Sequence, residues 1–479
     1  MNPKPLVENA GLFKTVIVML FCHASVAFLC ANVMFDLIIF GIPLYILKSF
    51  YILPSKLFYQ LTTKLINWTT PIVYGVPMVF SGTQVYIDNL DILIESKCNN
   101  SLLLANHGSR IDWMVGMYMG HLDQLGSRGN KFGCCSSKSG HSGSCSSSSS
   151  SSRDGKKSSG SNSSSRCRVG FVCEALIQMM PLIGWYRKIM CDDIFVWRSF
   201  DKDAPTIKRN ISNFHQCNER RMLFLSPEGV VVDHGEKDIE YVHQCRQFCV
   251  DYGIKPFDYV LTPRHKGTTC LLDQIANGEG GGTFSSVCLA FVRDGKLLNC
   301  KLLSASRIIP DIYDLNQGVA GKPISIYVHI RKQKGLDLKD KQNFDAKARL
   351  MEEYQWKDSI LSQWDKYLQK DFPQDWGTKF TSVEADKKAV LLSHFYHVAI
   401  MLSVLYSLNM VHLFFKVCQW IFFSVGVTHT LGWLVNKSSM ESVPFETGIK
   451  ALVLFLLSLR AKEETTSTGS TDLKNKKKN

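Results

Sequence analysis

The stretch Leu102-Leu-Leu-Ala-Asn-His-Gly-Ser-Arg-Ile-Asp-Trp113 decides how this chain is read. Leu102–Ala105 is a short unbroken apolar run, the pattern of a strand covered on both faces. It delivers Asn106-His107 at its end, and Asp112 follows five residues after the histidine. Within one helix that spacing would set the two side chains about 140° apart, so they meet only if a turn comes before the helix. Gly108 permits such a turn and Ser109 is a candidate helix cap. A histidine held by a carboxylate is a general base, because the acid fixes its tautomer and stabilises the imidazolium as it forms. A purely structural His–Asp pair has the same spacing.

Outward from this stretch, Ile194–Trp197, Met222–Leu225 and Tyr259–Leu261 are further short apolar runs bounded by polar, Gly or Pro residues, and they too read as buried strands. Ala348–Leu368 spaces its aromatics and aliphatics three to four apart with charges between, which predicts an amphipathic helix packed on a sheet. The expected fold class is α/β, a mixed sheet with helices, carrying membrane helices at both ends.

Those ends are the apolar blocks. Leu12–Leu53 is broken only by Lys14, Asp36 and Lys48, too long for one span and about right for two short ones, Leu12–Ala31 and Val33–Leu47. Val390–Val435 divides at Asn409–His412 into two more, while Ala451–Leu459 is too short to span. The expected organisation is N-terminal membrane helices over residues 1–60, a catalytic body over 61–372, C-terminal membrane helices over 373–460 and a basic tail over 461–479. The body is interrupted at 127–168 by a Ser-rich insertion containing seven consecutive serines, Ser146–Ser152, a composition that builds no core.

The formal net charge of +13 resembles a nucleic-acid signal until it is located. More than half of it sits in the Ser-rich insertion, and no basic groove interleaved with aromatics exists, so no nucleic-acid partner is expected. The sixteen cysteines are scattered, with no paired Cys-x-x-Cys elements at zinc spacing. Free thiols and no metal are the expectation.

The remaining motifs come in order: Gly184-Trp-Tyr with Ile194-Phe-Val-Trp-Arg198, then Leu225-Ser-Pro-Glu-Gly229, then Tyr259-Val-Leu-Thr-Pro-Arg-His-Lys-Gly267. Together with Asn-His-x4-Asp they resemble the four successive blocks of the glycerolipid acyltransferases. The 1-acylglycerol-3-phosphate/lysocardiolipin acyltransferase branch is the most similar, through the Val-Leu-x-Pro-Arg block, the Ile324–Ile330 strand and the Trp356…Trp364 helix.

The resemblance implies an O-acyltransferase in which His107 takes a proton from a lysophospholipid hydroxyl while Asp112 orients the ring. The hydroxyl attacks acyl-CoA, a co-substrate, so no cofactor is implied. Ser109 as a nucleophile would have poor attack geometry, two residues along a turn from His107. The implied substrate contacts are Asn106, Arg198 on a phosphate, Glu228 and Gly229 at the acceptor, and Pro263 and Arg264 closing the acyl end. Ser226 and Val230 stand where the family often has Phe and Thr, which puts the acceptor in question more than the activity.

Lysophosphatidate is the expected acceptor, with lysocardiolipin or lysophosphatidylinositol as alternatives. Lys476-Lys477-Lys478-Asn479 matches a dilysine retrieval pattern, so the endoplasmic reticulum membrane is the expected location, in a multi-pass arrangement with the lipid bilayer as partner. The rival from another class is a catalytically silent membrane scaffold.

Overall fold

The structure, a computed structural model, describes residues 12–98, 100–122, 168–216, 220–233, 235–276, 282–332, 346–367 and 380–408, with a few single positions beyond. Among these, nine strands form one sheet in the order β4-β3-β5-β2-β6-β8-β1-β9, with β7 pairing on β6. They are β1 (Gln84–Asp88), β2 (Asn100–Ala105), β3 (Arg168–Glu174), β4 (Ile194–Val196), β5 (Arg221–Leu225), β6 (Gly282–Arg293), β7 (Lys296–Leu297), β8 (Ser325–Lys332) and β9 (Phe380–Ser382). From β4 to β6 every neighbour is parallel; β6–β8 and β1–β9 are antiparallel and β8–β1 parallel. The mixed sheet expected from the sequence is present.

Helices cover both faces, which is why the central strands read as unbroken apolar runs. Side chains alternate across a strand. Leu103 and Ala105 therefore pack with residues of α1 (Leu12–Asp36), α3 (Ser55–Tyr74), α4 (Leu90–Cys98) and α5 (Asp112–His121). Leu102 and Leu104 face the other way, toward α7 (Phe200–Gln216), α8 (Glu236–Asp251), α9 (His265–Ala276) and α11 (Ala346–Tyr367). The short helices α6 (Ile183–Tyr186) and α10 (Ile312–Asn316) complete the first side.

Three expectations are corrected. The two N-terminal spans are one helical run: α1 passes through a π-helical turn, Leu37–Gly41, into α2 (Ile42–Ser49). Nothing between Ala31 and Val33 breaks a helix, and the only distortion precedes Pro43, whose missing N–H and bulky ring the wider turn accommodates. Tyr259–Leu261 is not a strand but a buried irregular segment; Asp358 Oδ1 accepts from the amides of Asp258 and Tyr259 at 2.8 and 2.7 Å in place of a ladder. Finally, Arg168 belongs to the body, as the fully buried first residue of β3.

Among the described residues, two helical runs are long and apolar enough to cross a membrane, Ile17–Ser49 and α12 (Lys387–Ser407). The first is mostly buried against the body, whereas α12 exposes Leu391, Leu392, Phe395, Tyr396 and Tyr406. Asp36 of the first and His397 of α12, both buried, lie 3.6 Å apart where the two pack. The second C-terminal span, the Ala451–Leu459 run, the tail and nearly all of the insertion lie outside the described residues.

Arg168 gives a stability prediction. Its guanidinium donates to Thr62 Oγ1 at 3.2 Å and to the Met190 carbonyl, and lies 5.6 Å from the Tyr59 ring centroid. Arg168→Ala therefore removes buried contacts to α3 and to the Arg187–Cys191 turn and is expected to cost about 2–5 kcal/mol, within the range for large-to-small core changes. Thermal melting in detergent measures it. Replacing residues 127–165 with a short Gly/Ser linker, which spares Arg168, is expected to change the melting temperature little, because closure entropy grows slowly with loop length.

Candidate active site

In an open α/β sheet the carboxyl ends of parallel strands form the natural crevice. Here β2, β5, β3 and β4 end together, and the segments leaving them carry His107, Ser226–Gly229, Glu174 and Arg198. A cavity of about 960 Å³ lies there. Much of its lining is apolar, including Val26, Leu29 and Cys30 of α1 with Ile177, Met180 and Ile183. Its charged lining carries both signs, with Arg198, Arg264 and Lys266 beside Asp112, Glu174 and Asp238.

His107 and Asp112 meet as expected, with Nδ1 and Oδ2 2.9 Å apart. The intervening turn makes this possible: Asp112 is the first residue of α5, so its carboxylate swings back over the loop. Ser109 is buried, donates its hydroxyl to Asp112 Oδ1 and accepts from the Ile111 amide at 3.2 Å. It thus locks the acid, a role that suits a nucleophile poorly. Gly108 is required for close approach, since a Cβ there would sit 2.7 Å from Asn299 Nδ2.

The other expected site residues divide into two groups. Arg198, Gly229, Pro263 and Arg264 line the cavity with the dyad. Gly229 has φ +74°, a left-handed turn that suits glycine, and both arginines flank it. Arg198 donates to the Gly229 carbonyl at 2.6 Å and reaches Glu174 at 3.3 Å, while the Arg264 guanidinium would lie 3.4 Å from a Cβ on Gly229. Pro263-Arg264 therefore stands beside Arg198, at the Gly229 turn.

Asn106 and Glu228 form the second group; they are not among the cavity-lining residues, and their side chains bond to backbone. The Asn106 amide accepts from the Leu289 N–H at 2.7 Å and donates to its carbonyl at 3.1 Å, pinning the end of β2 to β6. Glu228 is buried and accepts the His107 amide at 2.9 Å and the Leu261 amide at 3.3 Å. Burial raises its carboxyl above the ordinary glutamate range, while those two N–H groups pull it back toward the charged form. Both residues hold the histidine loop in place.

Two buried cations escaped the sequence reading. Arg307 donates to the Cys300 carbonyl and lies within electrostatic reach of Glu228 and Asp112; burial lowers it from its ordinary value. Lys357 on α11 is fully buried, and burial lowers its ammonium to about 8 against the opposing pull of Cys288, Glu228 and Glu353. The sequence signal was thin: one lysine within an amphipathic helix whose charges were read as facing water.

No family model matches the chain. Part of it is similar to lysocardiolipin acyltransferase 1 of Danio rerio, 23% identical over 118 residues that cover 25% of this chain and 29% of that protein. Lysocardiolipin acyltransferase 1 of Mus musculus is 24% identical over 128 residues, covering 26% and 32%. The matched part thus spans about a third or less of these relatives' length. With the two apolar helices, the comparisons point to membrane association and a distant likeness to acyltransferases acting on lysophospholipids.

Proposed function

We propose that this chain transfers a fatty acyl group from acyl-CoA to the free hydroxyl of an anionic lysophospholipid, at a membrane. The observation that carries the reading is the His107–Asp112 pair at the wall of a largely apolar cavity that Arg198 and Arg264 also line. With Nδ1–H donating to Asp112, Nε2 is the lone-pair nitrogen. It takes the acceptor's hydroxyl proton as the oxygen attacks the thioester carbonyl. The tetrahedral intermediate collapses, the C–S bond breaks, and CoA leaves as the thiol with the proton returned by the imidazolium. The thioester is already activated, so no covalent acyl-enzyme is needed. Arg198 and Arg264 suit the acceptor's phosphate, since a guanidinium offers a planar fork of donors. The apolar lining, to which α1 contributes, suits an acyl chain.

Lysophosphatidate is the acceptor first proposed. Lysocardiolipin is the second reading, supported by the names of the two relatives. A multi-pass arrangement in the endoplasmic reticulum membrane is proposed, with the apolar blocks supporting its membrane part. Purified protein in mixed micelles, given acyl-CoA and each of lysophosphatidate, lysocardiolipin, lysophosphatidylinositol and monoacylglycerol, tests the reading. Diacyl product from a phosphate-bearing acceptor is expected. Folded, micelle-bound protein that acylates none of them would favour the scaffold. The variant lacking residues 127–165 is expected to retain most of the activity in this assay.

A further inference from the structure

We infer that α11 holds the histidine loop from behind the sheet, with Lys357 and Tyr354 as positioning residues for the transfer. The inference rests on the reading of His107 as the base. At the carboxyl end of β2 the ladder runs out: Leu104 is the last residue paired with β5, opposite Leu225, after which β5 turns away into Ser226–Gly229. Ala105 is paired only with β6, opposite Val287. Side chains take over where the strand partner leaves. Lys357 Nζ donates to the Leu104 carbonyl at 2.8 Å and the Tyr354 hydroxyl to the Ala105 carbonyl at 3.2 Å. The two residues lie three apart on α11, one helical turn, so a single face of that helix reaches consecutive carbonyls. Asn106 and the His107 amide are then held by Leu289 and Glu228. Four consecutive residues leading to the base are thus each fixed by a side-chain hydrogen bond.

A lysine is a costly way to satisfy one carbonyl. A fully buried ammonium loses its hydration, and a core of packed apolar residues at that position would often be as stable or more so. Glu353 lies one turn away on α11, and Glu228 on the β5 loop is the group that holds the His107 amide. Lys357 therefore links the β2 carbonyl electrostatically to the carboxylate beneath the base. A residue retained only to fill the core has no need of that charge.

Lys357→Met keeps the length and removes the charge and donors; Tyr354→Phe removes one hydroxyl. Each is assayed for kcat and for both KM values, and each is followed by backbone hydrogen exchange read as peptides. For Lys357→Met the expected result is a kcat lower by about 10–100-fold with both KM values nearly unchanged, since misplacing a base by about 1 Å costs roughly 10²-fold. Exchange in the peptide covering residues 102–112 is expected to rise by about tenfold or more, with β8 and α7 protected as before. Tyr354→Phe is expected to change both readouts in the same direction and by less. Loss of protection spread evenly over the sheet, or unchanged kcat and unchanged protection, would assign Lys357 to core packing and overturn the inference. Exchange needs no turnover, so a wild type without transferase activity would remove the proposed function while this local result still decides the positioning role.

Discussion

His107→Ala is expected to lower acyl transfer by about 10²–10⁴-fold, the contribution of a general base, while the protein still inserts and melts as the wild type does. The imidazole is about a third exposed to the cavity, so its removal leaves no void in either core. Its backbone amide remains on Glu228, and Asp112 keeps the Ser109 hydroxyl. The loss should appear in kcat and kcat/KM together, since the base acts on the transition state and hardly on the bound substrates. Steady-state kinetics beside a thermal melt checks both halves. Activity near that of the wild type would remove His107 from the chemistry.

Arg198→Lys is the second large effect. Arg198 stands just past β4 with φ +62°, a left-handed conformation unusual for a side-chain-bearing residue, and its guanidinium bridges the Gly229 carbonyl and Glu174 beside the dyad. Lysine keeps the charge but loses the fork, so one charge-assisted hydrogen bond to phosphate is lost, about 1.5–3 kcal/mol. The KM for lysophosphatidate should rise by roughly 10–150-fold at that energy, with the KM for acyl-CoA nearly fixed and monoacylglycerol affected little. A rise confined to acyl-CoA would move Arg198 to the thioester substrate. Equal losses on both acceptors would make it a structural tie between β4 and the Gly229 turn.

The sequence made the dyad legible because everything it needs is local: a strand, a turn and the first residue of a helix within Leu102–Asp112. The parallel centre was legible for the same reason, since strands buried on both faces are nearly all apolar. Partnership across the sheet was hidden. Tyr259–Leu261 has a strand's composition, yet Asp358 holds the amides at its start, and no spacing rule links residues so far apart. Glu228 and Asn106 were expected at the substrate because a carboxylate and an amide are equally good ligands for a backbone N–H; only geometry separates the two roles. Lys357 was hidden because a lysine among charged helix residues normally faces water, and here it reaches a carbonyl 253 positions back in the chain. The N-terminal block reads as membrane helices or as buried core helices, and its composition gives no sign that Val26, Leu29 and Cys30 wall the cavity.

In the proposed reaction an acyl group moves from thioester to lysophospholipid oxygen with His107 as the base. The most direct measurement is a mass balance on purified protein in micelles, counting CoA thiol released and diacyl phospholipid formed in the same reaction, for the wild type and His107→Ala. The wild type is expected to give equal amounts of the two products, with release that depends on added lysophospholipid, and the variant is expected to lose both. Thiol release that ignores the lysophospholipid, or equal product from the variant, would contradict it.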